Sequence, residues 1–127
     1  MATTGCFLNK KSKYPAPILK NREDLMWLAG YLEGEGCFWA GHKGNMIVTV
    51  STVDEDIAKR AHCLMGGCLS QVRATVTGKK VYRVDVLARR YAYALMVALY
   101  KFMGVRRQAK IIECLKYYSG LKGAFSG

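Results

Sequence analysis

Two glycines, one helical turn apart, interrupt an apolar segment in the first third of the chain. Residues 28–36 read LAGYLEGEG, and Gly30 and Gly34 fall on one face of the predicted helix. Another backbone can approach that face more closely than bulky side chains would allow. A glycine inside a helix costs about 1 kcal/mol relative to alanine, so the pair indicates close packing against another helix. The two acids and the final glycine place carboxylates at the helix C-terminus.

The charge balance indicates a polyanionic partner. Lys and Arg total 20 against 9 Asp and Glu, which gives a net charge of +11 and a sequence pI near 9.6. Such an excess is typical of nucleic-acid-binding proteins, with acidic membranes and acidic proteins as the alternatives. Hydrophobic residues make up 51% of the 127 residues, which is enough for the packed core of one domain.

The cysteines indicate a reducing compartment. They are odd in number and contain no C-x-x-C pair, which argues against a disulfide framework and a zinc ribbon. They are Cys6, Cys37, Cys63, Cys68 and Cys114. No apolar run approaches the roughly 20 residues that span a bilayer, and no signal-peptide-like segment opens the chain. We therefore expect a soluble intracellular protein without a membrane partner.

The sequence divides into an arm, a domain and a tail. Residues 1–20 carry four lysines, no acid and a Pro-Ala-Pro break, which predicts a basic arm without regular structure. Such an arm can follow a phosphate backbone, and a frayed terminus is the alternative. We assign residues 21–120 to the folded domain and 121–127 to a C-terminal tail.

The domain has an alternating pattern of helices and hairpins. Asn21 is placed to cap a helix that ends at Gly34 to Gly36. The remaining predicted elements are a hairpin with strands 37–42 and 46–53, a helix from Asp54 to the Gly66-Gly67 pair, a second hairpin with strands 68–76 and 81–87, and helices 89–102 and 106–119. The order α-β-β-α-β-β-α-α predicts an α+β fold, a four-stranded antiparallel sheet with helices on one face. A three-stranded or barrel arrangement is the main alternative.

Residues 28–36 resemble the signature of the LAGLIDADG homing endonucleases and align with it without a gap. Tyr31 and Leu32 replace Leu and Ile, and Glu33 and Glu35 replace the two Asp residues. The run EGEGCF at 33–38 resembles organellar, intron-encoded members. The family fold is built in the same element order, so the resemblance covers nearly everything after residue 20.

The resemblance implies a divalent-metal-dependent endodeoxyribonuclease. The second acidic position of the signature, Glu35 here, would hold the metal together with backbone oxygen at Gly34. Mg²⁺ is the expected ion because hard cations prefer oxygen ligands, and Mn²⁺ or Ca²⁺ can occupy such a site. Glu33 points about 200° around the helix from Glu35, so we expect it to have a structural role or to support the metal-binding groups from behind.

The resemblance also implies a basic residue near the cleavage site. When Gln108 and Ala109 are matched to the family pattern, the usual lysine position falls on Val105. Arg106 is the nearest basic substitute and Lys101 the next. Ser51 or Thr52 lies where other members contact water in the active site.

A homodimer is implied by the single copy of the motif. Single-motif members pair through these helices, so two Glu35 residues would serve the two strands of a duplex. We expect Trp27, Gly30 and Gly34 at the interface. The alternative for the apolar part of the helix is ordinary core packing.

The polar face of the sheet is the predicted reading surface, because a two-stranded ribbon can enter the major groove. Alternation along the strands selects Cys37, Trp39, Gly41, Lys43, Thr49, Ser51, Gln71, Arg73, Thr75, Arg83 and Asp85. Arg73 and Arg83 can each hold a guanine edge, and Gln71 an adenine. As an alternative, Arg83 and Asp85 can simply pair with neighbours on the sheet.

These expectations combine into one function: a homodimeric, intron-encoded homing endonuclease that cuts both strands of a long, pseudo-palindromic double-stranded DNA site. One alternative is a maturase of the same fold that binds intron RNA. Another is a non-catalytic, basic nucleic-acid-binding protein in which the nine-residue match is fortuitous. The bacterial or phage cytoplasm, the mitochondrion and the chloroplast all remain open as the compartment.

Overall fold

The computed structural model describes residues 15–41, 44–73, 76 and 78–126, with the backbone alone described at Arg73 and at 118–126. Lys43, Thr75 and the first 14 residues of the predicted arm lie outside the described residues. Within the described part the chain forms helices α1 (Arg22–Glu35), α2 (Glu55–Met65), α3 (Arg89–Tyr100) and α4 (Val105–Ser126), and strands β1 (Gly36–Ala40), β2 (Met46–Thr52), β3 (Cys68–Arg73) and β4 (Lys80–Val86).

The four strands form one antiparallel sheet in the order β1-β2-β4-β3. Inward-facing Phe38, Val48, Val50 and Val84 are buried. The helices cover this face and leave the other bare. The predicted α+β architecture with a four-stranded antiparallel sheet is therefore confirmed for the described residues.

The core lies between the sheet and the four helices. Helix α1 contributes Leu28 and Leu32, α3 contributes Leu95, Met96 and Leu99, and α4 contributes Ile111, all fully buried. Burying one such side chain stabilises the fold by about 1.5–3 kcal/mol. This layer fixes α1 against the inner face of the sheet.

The helix starts follow from local hydrogen bonding. Asn21 caps α1, because its side-chain oxygen accepts a hydrogen bond from the backbone N–H of Asp24 at 2.9 Å. The start of α2 has no such side-chain cap, because the Asp54 side chain makes no capping hydrogen bond. Instead, the Asp54 backbone N–H donates a hydrogen bond to Thr52 Oγ1 at 3.1 Å.

The described end of the predicted arm is held against the domain. Residues 15–20 have no regular secondary structure. The Ile18 N–H donates to the Leu64 carbonyl at 2.8 Å, and the Gly67 N–H donates to the Pro15 carbonyl at 3.0 Å. These bonds attach the arm where α2 passes into β3.

The helix α4 is longer than predicted. It was expected over residues 106–119, but it extends from Val105 to Ser126, and Gly127 lies outside the described residues. Gly120 lies within this helix, because a glycine weakens a helix by only about 1 kcal/mol and need not end it. The division between domain and tail at residue 120 stays a prediction.

The register of β3 shows that Gln71 and Arg73 lie on the opposite face of the sheet from the one predicted. Gln71 pairs with Tyr82 and Arg73 with Lys80, whereas Ser70 pairs with Arg83. Directly paired residues share a face of an antiparallel sheet, so Gln71 and Arg73 lie on the helix side, opposite to Arg83.

Leu69 explains this register. It pairs with Val84 and packs against the core, so odd-numbered residues of β3 face the helices. Past Leu69 the helical layer no longer covers the strand, and Gln71 and Val72 are both exposed. Alternating polarity therefore carries no information about the face at this end of the strand.

The described helices and cysteines add two observations. None of these helices is both long and apolar enough to cross a membrane. Four cysteines, Cys37, Cys63, Cys68 and Cys114, are free thiols.

We predict that Gly67→Ala destabilises the fold more than Gly78→Ala. Both glycines have positive φ, +75° and +74°. That conformation costs another residue about 1–2 kcal/mol. A Cβ at Gly67 would also collide with the Asp85 carbonyl oxygen, whereas a Cβ at Gly78 meets no atom of the described residues within 4 Å. The expected loss of unfolding free energy is about 3 kcal/mol for Gly67→Ala, from strain and overpacking together, and 1–2 kcal/mol for Gly78→Ala.

Urea denaturation followed by circular dichroism measures both variants. Equal losses for the two substitutions would contradict the close approach of β3 to β4 at Gly67.

Candidate functional site

One face of α1 is left bare by the part of the chain that the structure describes. Gly30 and Gly34 are exposed, and no described heavy atom lies within 4 Å of a Cβ built on either. Met26, on the same stripe, is 49% exposed. The opposite face buries Leu28 and Leu32. Packing within the described chain therefore gives no reason for the two glycines.

Glu35 ends this bare face. It is the last residue of α1 and is exposed. The Gly36 N–H caps the helix by donating to the Leu32 carbonyl, so the carbonyls of the last turn lack intrahelical partners. Among the described residues, none forms a hydrogen bond or ion pair with the Glu35 carboxylate. Its oxygens and the Gly34 carbonyl oxygen are available to a ligand.

Glu33 has a different environment. Its Oε1 accepts a hydrogen bond from the Gly104 N–H at 2.9 Å, directly before α4 begins. Its backbone carbonyl accepts a hydrogen bond from Arg107 Nε at 3.0 Å. A carboxylate at a helix N-terminus satisfies free N–H groups and interacts favourably with the helix dipole. Glu33 thus joins α1 to α4, in agreement with the structural role expected for it.

The basic residue in contact with the end of α1 is Arg107. Arg106 and Lys101, the two residues selected from the sequence, are exposed, and Lys101 Nζ lies 5.3 Å from the centre of the Phe102 ring. No described hydrogen bond or ion pair joins either of them to Glu35. Their catalytic role stays a prediction. Sequence matching missed Arg107 because its contact depends on how α4 packs against α1.

A cleft of about 890 Å³ opens beside Glu35, between α1, the end of β2 and the start of α2. Trp27 and Tyr31 stack with ring centroids 5.5 Å apart, and the Arg60 guanidinium lies 4.0 Å from the centre of the Trp27 ring. The cleft is lined by Met26, Trp27, Gly30, Tyr31, Glu35, Ser51, Thr52, Val53, Asp54, Ile57 and Val81. It is therefore continuous with the bare glycine face.

Tyr31 and Asp54 are two cleft residues that the sequence did not single out. The Tyr31 hydroxyl donates a long hydrogen bond to the Ser51 carbonyl at 3.4 Å. Burial raises the pKa of Tyr31; a side-chain hydrogen bond with Thr52 lowers it, and the negative charges of Glu35 and Asp54 raise it. The hydroxyl therefore stays neutral at physiological pH, and two carboxylates share its neighbourhood. Asp54 had been read only as an acid at a helix start.

The bare face of the sheet carries most of the residues expected there. Cross-strand rows place Cys37, Thr49, Asp85 and Cys68 side by side, and Ser51, Arg83 and Ser70 in the next row. Trp39, 45% exposed, lies at the β1 edge, where its ring leaves no room for a side chain on Gly41. The outward placement of Cys37, Trp39, Thr49, Ser51, Arg83 and Asp85 is confirmed, and their contact with DNA stays a prediction.

Most of the described positive charge lies off this face, much of it on the helices that cover the opposite face of the sheet. Among the described side chains of the bare face, Arg83 is the one cation. The other described basic residues lie on helices, at the hairpin end or in connections: Lys20, Arg22, Lys59, Arg60, Lys79, Lys80, Arg89, Arg90, Lys101, Arg106, Arg107, Lys110 and Lys116.

The donor set at the end of α1 fits a hard divalent cation in part. Within the described residues no group of three or more His, Cys, Asp or Glu side chains is placed so that it could hold a metal ion. One chain offers the Glu35 carboxylate and the Gly34 carbonyl, both oxygen ligands of the kind Mg²⁺ prefers. Because Mg²⁺ keeps several waters and is commonly held by one or two carboxylates plus phosphate, the remaining ligands can come from water, DNA and a second chain.

Comparisons with known proteins add no family assignment. A scan against protein-family models, a search of curated proteins and a search of solved structures each found no significant match to this chain. What relates it to the LAGLIDADG enzymes is the nine-residue resemblance at 28–36, in an architecture that is broadly compatible with theirs.

We predict that the two acids of the signature differ in their effect on stability. Glu33→Ala removes the bond to the Gly104 N–H and should lower the free energy of unfolding by about 1 kcal/mol. Glu35→Ala removes no described contact and should change it by about 0.5 kcal/mol or less. Thermal and urea denaturation at neutral pH measure both, and the reverse order would contradict the assignment of Glu33 as the structural acid.

Proposed function

We propose that this protein is a homodimeric, divalent-metal-dependent endodeoxyribonuclease of the LAGLIDADG type, encoded by an intron. Its substrate would be a long, pseudo-palindromic double-stranded DNA site, cut on both strands. The observation that carries the proposal is the bare glycine face of α1, which ends in the exposed carboxylate of Glu35, a group with no hydrogen-bond or ion-pair partner among the described residues.

The glycine face supports pairing of two chains through α1. Gly30, in the interior of α1, destabilises the helix by about 1 kcal/mol, and no described contact at Gly30 or at Gly34 in the last turn offsets the loss of a side chain there. A second copy of α1 can pack closely against Gly30 and Gly34, with Met26 and the stacked Trp27 beside them. A two-fold axis at this contact brings the two Glu35 residues together, one for each strand.

Catalysis would take place at the C-terminal ends of the paired helices. A bound Mg²⁺ supplies charge neutralisation on the scissile phosphate and a more acidic water. Glu35 and the Gly34 carbonyl would hold that ion, and the neutral Tyr31 hydroxyl beside them could donate its one hydrogen bond there in place of its long bond to the Ser51 carbonyl. Glu33, engaged with α4, would keep the last turn of α1 in place.

Binding of DNA would use the bare sheet face together with the basic residues at the β3–β4 hairpin, Lys79 and Lys80. The neutral polar side chains of the face suit base edges, which carry hydrogen-bond donors and acceptors but no charge. Lysines suit phosphates, which supply most of the affinity and no sequence information directly.

We predict that Glu35→Gln abolishes cleavage and leaves DNA binding intact. The substrate is a duplex that spans the insertion junction of the intron carrying the gene. In Mg²⁺ the unaltered chain should cut both strands, and EDTA should stop it. Glu35→Gln should bind the same duplex in a mobility-shift assay but lower the cleavage rate by at least about 100-fold, the scale of losing electrostatic stabilisation at a reacting centre.

Glu55→Gln is the matched control, because Glu55 is an exposed acid whose described ion pair is with Lys59 on α2. Double-strand cleavage by Glu35→Gln at the unaltered rate would refute the proposal. Absence of cleavage together with binding of the intron RNA would indicate a maturase instead.

We predict that Gly30→Leu converts the dimer into a monomer. In a single chain this change should be harmless, because a Cβ at Gly30 meets nothing within 4 Å and leucine favours the helix by nearly 1 kcal/mol over glycine. In a dimer the leucine would separate the two α1 helices.

Sedimentation velocity measures the mass of the unaltered chain and of the variant. Ala109→Leu, on an exposed face of α4, is the control and should remain dimeric. A more stable Gly30→Leu chain with an unchanged oligomeric state would show that α1 is not the interface.

A further inference from the structure

The centre of the bare sheet face holds a fixed hydrogen-bond network. Thr49 Oγ1 donates to Asp85 Oδ1 at 2.5 Å, and Arg83 Nε donates to Asp85 Oδ2 at 3.0 Å. Thr49 and Asp85 are directly opposed on β2 and β4, and Arg83 lies two residues from Asp85 on the same face. Both carboxylate oxygens are therefore engaged.

The network leaves the outer part of the Arg83 guanidinium available. Arginine has five N–H donors, and the described contact uses only the one on Nε. The structure describes no partner for the four on the terminal nitrogens. The Asp85 side chain is 18% exposed and that of Arg83 48%, so the acid lies beneath and the guanidinium extends outward.

The neighbours of Arg83 make its guanidinium the most prominent group of its row. Ser51 on β2 and Ser70 on β3 are its direct cross-strand partners, and both side chains are short. A surface that enters a groove at this row would present the terminal nitrogens of Arg83 first.

The charges favour a neutral acceptor over a phosphate. Arg83 and Asp85 together carry no net charge, and a phosphate bound to Arg83 would lie close to the Asp85 carboxylate. The O6 and N7 atoms of guanine are two uncharged acceptors at the spacing of the two terminal nitrogens. Adenine offers one acceptor and one donor on the same edge and does not match a group that only donates.

We propose that Arg83 reads one guanine in each half of the DNA site, and that Asp85 and Thr49 are positioning residues that hold its guanidinium. The inference rests on the proposed function, since it requires a DNA-bound dimer. In a symmetric dimer the two Arg83 residues contact opposite strands, so one guanine preference appears twice, at positions related by the two-fold axis.

The experiment selects binding sites from a pool of randomised DNA duplexes, with the Glu35→Gln chain as the parent so that DNA is bound and not cut. The parent should enrich a site with guanine at a symmetric pair of positions. Arg83→Ala should lower the preference for guanine at that pair by about 5- to 150-fold and leave the other positions unchanged. Arg83→Gln should shift the preference there toward adenine, which glutamine binds through N6 and N7.

The positioning residues are tested at the same pair of positions. Asp85→Asn keeps an oxygen that can accept from Thr49, but it can present an amide N–H to the Arg83 guanidinium, which only donates. The guanine preference should therefore fall at the symmetric pair of positions and at no other position. Thr49→Val should lower it as well, and Thr49→Ser should restore it. Urea denaturation of each variant accompanies the selection, because a purely structural role would change stability or all positions together.

Lys59→Ala is the control, since the Lys59 side chain is also 48% exposed and ion-paired, but on α2. It should leave every base preference unchanged. Loss of preference at one symmetric pair in the Arg83 and Asp85 variants supports the inference. A parent that enriches a site which Arg83→Ala leaves unchanged overturns this inference alone, whereas a parent that enriches no site overturns the proposed function with it.

Discussion

The structure depends on a helix with two unlike faces. One face of α1 buries Leu28 and Leu32 fully and fixes the helix to the sheet. The other exposes Gly30 and Gly34, with no atom of the described residues packed against them. Burial of the first face determines where the C-terminus of α1 lies, because the chain passes from Glu35 directly into β1. The positions of β1, of the cleft beside Glu35 and of Glu35 itself therefore all depend on how α1 packs against the sheet.

The sequence predicted the elements well where hydrophobic spacing and caps agreed. The Asn21 cap, the buried face of α3 and both hairpins lie where expected, because each rests on short-range interactions that the residues themselves determine. The face of β3 was wrong, because alternating polarity indicates a face only where a core covers the strand. Leu69 determines which residues of β3 face the helices, because it packs against the core. That tertiary contact cannot be inferred from the polarity of residues 71–76.

The candidate site was predictable in part. Glu35 was selected from its position in a motif, and its exposure at the end of α1 agrees with that choice. Arg107 and Asp54 were missed because each approaches the site through packing between elements distant in sequence. For the Thr49–Asp85–Arg83 network, the sequence predicted only that Arg83 and Asp85 could pair with neighbours on the sheet. The part played by Thr49 depends on the register between β2 and β4, which the sequence does not show.

The contacts on the far side of α1 from Glu35 have a consequence for the order of the helix end. Last turns of helices ordinarily fray, and a side chain on such a turn samples many positions. Here Arg107 and the Gly104 N–H hold the last turn through Glu33, and neither has a described hydrogen bond to Glu35. The backbone that carries Glu35 therefore loses its conformational entropy when the chain folds, so a ligand that binds there does not have to offset that loss.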